Sequence, residues 1–157
     1  MKNIALVVIF LICLLKFACA QDRVYNIGET AEVKRVSVTI NSISPHKEKN
    51  RFMNKEGMKY YVIDVTILNG RQEPYEYNAY QFTMLDENDE EHQWCISSIE
   101  PKFEGETLAP GMMGRGKLVF GLPENSTPVK IVFDPGYISD DVITFSIKKI
   151  QTSEDGQ

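Results

Sequence analysis

Cysteine is scarce in this chain, and histidine and tryptophan are scarcer. The 157 residues hold Cys13, Cys19 and Cys95, two histidines (His46 and His92) and one tryptophan, Trp94. Cys13 and Cys19 lie in or beside an N-terminal apolar run, so only Cys95 would outlast its removal. One thiol makes no internal disulfide, and the mature fold must rest on its apolar core even in an oxidising compartment. Two histidines leave little for a hydrolytic triad, and no G-x-S-x-G elbow is present. Basic excess is also missing: the formal net charge is −5, which argues against a nucleic-acid partner. No stretch keeps a 3.6-residue apolar period over three turns, so helical architectures are not expected.

The apolar run itself has an interpretable form. Lys2, the 12 residues from Ile4 to Leu15, and Lys16-Phe17-Ala18-Cys19-Ala20 supply a basic start, an apolar stretch and a small-x-small site. These are the parts of a secretory signal peptide. The stretch is short of the roughly 20 apolar residues that span a bilayer. Cleavage after Ala20 would leave a mature chain from Gln21 with a net charge of −7, since Lys2 and Lys16 are lost. Processing at Cys19 is the alternative and would tether the protein by lipid, although Lys16 stands where an aliphatic residue is usual. The expected organisation is a signal peptide over 1–20, one β domain over 21–150 and a flexible tail over 151–157. The expected location is secreted or extracytoplasmic, with membrane contact only through a lipidated Cys19.

The mature chain is dominated by a period of two. Val36, Val38 and Ile40 alternate with Ser37 and Thr39; Ile63, Val65 and Ile67 alternate with Asp64 and Thr66 before Asn69-Gly70. Phe82 and Met84, Trp94 and Ile96, Leu118 and Phe120, Val129, Ile131 and Phe133, and Ile143, Phe145 and Ile147 continue the pattern. Half-buried strands read this way, and turn residues between short strands indicate an all-β, antiparallel two-sheet sandwich of about seven or eight strands. Residues 45–59 read as a long polar insert between two strands.

Residues 111–117 match G-x-x-x-x-G-K, the spacing of a phosphate-cradling loop. The context does not fit: Leu108-Ala109-Pro110 leads in, a β-type run leads out, and Leu118 replaces the hydroxyl that would hold magnesium. Nucleotide binding is not expected. Pro110-Gly111 reads as a tight turn, with Gly114 and Gly116 permitting a bulge or a close strand approach.

The segments Val62–Asn69, Phe82–Asp86, Leu108–Gly111 and Gly116–Pro123 together resemble an immunoglobulin-like domain-of-unknown-function family of secreted proteins and lipoproteins. That family is common in Gram-positive bacteria and related in fold to a mycobacterial immunoprotective extracellular antigen. The resemblance implies an immunoglobulin-like sandwich at the cell envelope, no established activity and no catalytic residues. Asn88-Asp89-Glu90 stands at a turn where many members place glycine.

Candidate binding residues fall in two groups. Lys47, Lys49, Arg51, Lys55 and Lys59 form a basic island suited to an anionic partner, and Tyr75, Tyr77 and Tyr80 could form a contact surface. The acidic run Asp86–Glu91 leaves calcium binding open, although it lacks the spacing of an EF-hand. His92 and Cys95, with His46, Met112 and Met113, could in principle ligate a soft metal, but on one strand positions 92 and 95 face opposite sides. Asn125-Ser126-Thr127 is a glycosylation acceptor only in a eukaryotic secretory route. The expectation is a non-catalytic binding module with no cofactor or metal, whose partner is an unknown protein or envelope polymer. The alternative is an extracytoplasmic enzyme or metal-handling protein on the same scaffold.

Overall fold

The computed structural model describes residues 24–47, 53–136 and 141–147. The expected signal peptide over 1–20, the expected tail over 151–157, Lys49 and Arg51 lie outside them. Among the described residues there are eleven strands: β1 (Val24–Asn26), β2 (Thr30–Val33), β3 (Val36–His46), β4 (Met58–Asn69), β5 (Tyr75–Tyr77), β6 (Phe82–Asp86), β7 (Glu91–Cys95), β8 (Glu106–Leu108), β9 (Met113–Pro123), β10 (Pro128–Phe133) and β11 (Ile143–Ser146). The only helical element among them is a 3-10 turn at Ala79–Gln81. The fold is therefore all-β, as the alternation predicts, with more strands than the seven or eight expected.

Nine strands form one hydrogen-bonded ladder, in the order β1-β11-β10-β6-β7-β9-β4-β3-β2, and β5 pairs with β8 apart from it. β7 carries the ladder across the fold. Its first half pairs with β6 through Glu91, His92 and Gln93, and its second half pairs with β9 through Trp94 and Cys95. The two layers of the sandwich are thus halves of a continuous sheet rather than separate sheets. The pairing is also not wholly antiparallel: β1 runs parallel to β11, matching Val24 to Thr144 and Asn26 to Ser146. A three-residue edge strand far in sequence from its neighbour is free to run either way.

The alternating residues meet in one core. Val36, Val38, Ile40, Ile63, Val65, Ile67, Leu118, Phe120 and Leu122 face Phe82, Met84, Ile131, Phe133, Ile143 and Phe145. Each such side chain stabilises the fold by roughly 1.5–3 kcal/mol before conformational entropy is charged. Register is fixed by the same burial, since a one-residue slip would expose the whole set. Three positions leave the expected pattern, one of them the half-buried Trp94. Val129 is only half-buried, because the β10–β6 register shifts between Pro128 and Lys130, and Ile96 is 63% exposed beyond the end of β7.

A second, smaller core covers the outer face of β4 and β9. Met53, Tyr60 and Val119 are buried there, with Met58, Val62, Cys95 and Ile99 packed against them. The insert expected to be merely polar therefore holds an apolar anchor, Met53.

The glycines of the G-x-x-x-x-G-K segment have a structural meaning. Met112 N–H donates to Ala109 O (3.0 Å), and Gly111 has φ +77°, so Pro110-Gly111 is a type II turn. The buried Asn69 side chain holds it in place, donating to Leu108 O and Glu73 O at 2.9 Å each and accepting from Arg71 N–H. Asn69-Gly70 thus ends β4 as an internal staple and not as a hairpin turn. Gly114 and Gly116 face inward, where a Cβ would come within 2.5 Å of the Tyr77 hydroxyl and of the Lys102–Phe103 backbone, respectively. The close approach that their spacing permits is real; its partners are Tyr77 of β5 at Gly114 and the segment before β8 at Gly116.

Gly116→Ala is expected to destabilise the protein by about 1–3 kcal/mol through overpacking, because rigid backbone blocks the new methyl. Gly121→Ala, whose Cβ would lie 3.0 Å from the Tyr60 ring, should cost less. Urea denaturation midpoints of the two variants would check the order.

Candidate functional site

The segment lying on Gly116 builds one wall of a surface groove. Lys117 N–H donates to Pro101 O (2.7 Å), and Phe103 N–H donates to Lys117 O (3.1 Å), so residues 101–103 follow the edge of β9 just where β7 leaves it. Phe103 is buried against Tyr77 (4.8 Å between centroids) and Phe82 (5.4 Å). Between this segment and the departing β7 lies a cavity of about 400 Å³. Leu118, Val119 and Cys95 are among its lining residues.

The opposite wall is aromatic, for a local reason. Asn78 caps the 3-10 turn: its Oδ1 accepts from Tyr80 N–H (3.0 Å), while Gln81 Oε1 accepts from Asn78 N–H (3.1 Å). Gln81 is buried and donates to the Tyr75 hydroxyl (2.8 Å) and Pro135 O (3.2 Å). With Ala79 and Gln81 facing inward, Tyr80 between them is turned out and is 68% exposed. Its ring meets Trp94 edge to face at 5.4 Å and 81°. Lys102, Glu104, Asn78 and Ser97 supply polar groups around this apolar lining.

Tyr80 is accordingly the one member of the expected tyrosine surface that is available. Tyr75 and Tyr77 are 4% and 3% exposed, because β5 turns both inward while Glu76 faces water. Tyr77 packs on Phe103, and the Tyr75 hydroxyl donates to Pro135 O (3.3 Å). Their alternation is that of a strand with one buried face. In the expected basic island, Lys47 and Lys55 are exposed and Lys59 is half-buried.

His92 faces the buried Asp86 carboxyl, whereas Cys95 packs against the second core of Met53, Tyr60 and Val119. Burial pushes the Cys95 thiol up to about 11, which leaves it protonated and a poor nucleophile at neutral pH. His46, which the sequence places in the polar insert over 45–59, ends β3 instead. It is half-buried, and its Nε2 has no partner among the described residues. Met112 and Met113 are exposed at 56% and 60% beside the type II turn.

The acidic run proves to be a built turn. Asp86 is fully buried, and its Oδ1 accepts from the N–H groups of Asn88 (2.9 Å) and Glu90 (3.0 Å). Its Oδ2 lies 3.1 Å from His92 Nε2. Asp89 has φ +58°, so it occupies the left-handed position that glycine favours and that Asp tolerates. Possible ligand atoms of Asp86, Glu90 and His92 lie within 4.8 Å of one another, but both Asp86 oxygens are already engaged in the turn. Ser126, in the sequon, is buried and hydrogen-bonds the same carboxyl.

Burial alone would raise the Asp86 pKa. Hydrogen bonds from His92, the Asn88 and Glu90 amides and Ser126 outweigh it and hold the carboxyl at about 2, against an ordinary 3.8. A depressed folded-state value means that this contribution to stability is complete above about pH 4 and is lost as pH falls towards about 2. Asp86→Asn should therefore lower stability at neutral pH and flatten its acid dependence. Denaturation midpoints measured across that interval would show it, and parallel curves for both proteins would contradict it.

Several solved structures share this architecture. The yjhA protein of Bacillus subtilis is 20% identical with a TM-score of 0.64, over 78% of this chain and 99% of its own. The secreted protein MPT63 of Mycobacterium tuberculosis is 13% identical with a TM-score of 0.65, over 82% and 100%. For the candidate lipoprotein ycdA of Bacillus subtilis the identity is 16% and the TM-score 0.64; the match covers 75% of this chain but 38% of ycdA. At these identities the likeness shows a β-sandwich fold and no more. A sequence search among curated proteins gave no significant match. The family model for a domain of unknown function, DUF4352, matches residues 25–147, nearly all of the described chain, and the protein belongs to that family.

Proposed function

We propose that the protein is a non-catalytic, extracytoplasmic binding module that receives an apolar or aromatic group of its ligand in the groove between Tyr80–Trp94 and the 101–105 segment. The observation that carries this reading is the exposed Tyr80 ring set against Trp94 at the mouth of a cavity of about 400 Å³. Ligand sites of this size are concave, mostly apolar and edged by a few polar groups, and exposed aromatic anchors dominate binding energy. Binding rather than catalysis is favoured because, among the described residues, no histidine lines the groove and the Cys95 thiol is held protonated. An immunoglobulin-like topology, taken from the family resemblance, belongs to the same reading. The extracytoplasmic location is supported by the signal-like residues 1–20 and by the names of two similar structures, one a secreted protein and one a candidate lipoprotein.

Trp94 is the chain's single tryptophan, so the groove carries its own fluorescent reporter. A panel of small aromatic and saccharide probes should include some that shift Trp94 emission in a saturable way. Tyr80→Ala should weaken such binding about tenfold while changing stability by under about 1 kcal/mol, as expected at an exposed position. A panel that leaves Trp94 silent, or a Tyr80→Ala variant that binds as well as wild type, would contradict the assignment.

A further inference from the structure

The turn between β2 and β3 is built from residues that its backbone disfavours. Val33 pairs with Val36, so only Lys34 and Arg35 make the loop, with φ +50° and +62°. Two consecutive left-handed residues in a two-residue hairpin describe a type I′ turn, for which Asn-Gly is the preferred sequence. Long L-residues are strained in that conformation. The following segment clamps the turn: Gly70 N–H donates to Arg35 O (2.8 Å), and Arg71 Nε donates to Lys34 O (3.2 Å). Gly70 is required there, since a Cβ would sit 2.8 Å from Arg35 O.

The clamp also orders a third cation. The Arg71 guanidinium lies 4.6 Å from the centre of the buried Tyr75 ring. With Nε committed to Lys34 O, its two terminal amino groups remain the donors for a ligand. Lys34, Arg35 and Arg71 line one concavity of about 640 Å³, together with Gln72 and the carboxylate of Glu73. Lys34 and Arg35 are exposed, and the Lys34 amino group lies 3.2 Å from the exposed Asp141 carboxylate, an ion pair that solvent weakens. In a chain of net charge −5, two cations on a strained turn and a third clamped against it call for a reason beyond folding.

We infer that this tip binds a phosphate-type oxyanion. The Arg35 and Arg71 guanidinium groups make the contacts, and Lys34 adds positive field. Planar guanidinium forks match the oxygens of such a group in pairs, and an arginine preordered by stacking loses less freedom on binding. The tip stands at the opposite end of β3 from Lys47, so it is distinct from the basic island read in the sequence. It is also separate from the aromatic groove and does not depend on that assignment.

The decisive variant is Lys34→Asn combined with Arg35→Gly, which supplies the preferred turn residues and removes two cations. Inorganic phosphate, followed by NMR on the full chain, should move the Arg71 Nε–H signal and the amides of residues 34–36 and 70–72. The double variant should weaken that binding about tenfold while raising the melting temperature by about 2–4 °C. Arg71→Lys, which keeps the charge and loses the fork, should also bind less well. Phosphatidylglycerol vesicles distinguish the source of the anion. Sedimentation with them, sensitive to salt and lost in the double variant, assigns a lipid headgroup, whereas phosphate binding without sedimentation assigns a free anion. Silence of the tip towards both probes, or a double variant that binds either as wild type does, overturns the inference. A double variant that melts lower than wild type overturns the claim that the turn is held against its backbone preference.

Discussion

The backbone of residues 101–103 lies against β9 at a distance that only glycine permits. At Gly116 the virtual Cβ is 2.5 Å from the neighbouring backbone, and two hydrogen bonds through Lys117 hold the segments together on either side. Most of what is distinctive in the structure follows from this approach. It seats Phe103 in the aromatic cluster with Tyr77 and Phe82. It also continues the edge of β9 after β7 has left, and so creates a groove whose two walls come from segments remote in sequence.

The groove's walls are held in different ways. One is tied to β9 by backbone pairing. The other depends on Asn78 and Gln81, whose reciprocal hydrogen bonds set the 3-10 turn and direct Tyr80 outward. Because both walls rest on strands with buried faces, the groove is largely formed before any ligand arrives, which lowers the entropy cost of binding. Asn69 and Asp86 serve the fold similarly at other places: each buried polar side chain bonds several backbone groups of an irregular segment. Buried polar groups are tolerable only when satisfied in this way.

Much of the sandwich is legible in the sequence, because a strand with one buried face must alternate. Val36–Ile40, Ile63–Ile67, Phe82–Met84, Leu118–Phe120 and Ile143–Ile147 all pack as their alternation indicates. β1, β2, β5 and β8 are three or four residues long and show too few alternations to stand out. The parallel β1–β11 pair and the bridging role of β7 are long-range choices that no local pattern encodes. The glycine spacing indicates a tight turn followed by a bulge or a close approach; the structure has the close approach, and no local pattern says which segment makes it.

The candidate site was less legible, for the same physical reason. The spacing of Tyr75, Tyr77 and Tyr80 suggested a shared surface, yet the period of two buries the first pair and the 3-10 turn exposes the third. Tyr80, Trp94, Phe103 and Val119 meet only after the sheet has folded over. Asp86 gave a usable local signal, since an aspartate opening a tight polar turn is suited to bonding its own backbone; the acidity of its neighbours obscured it. Lys34-Arg35 carried no signal at all, because nothing in two exposed cations announces left-handed backbone.

Hydrogen exchange at two amides tests the central contact directly. The N–H groups of Phe103 and Lys117 bond each other's segments in this structure, so both should exchange as slowly as the interior amides of β9, with protection reflecting sub-global or global opening. Exchange of the Phe103 amide at the rate of an open loop would mean that residues 101–103 do not lie on β9. The groove, and the function assigned to it, would then have no wall.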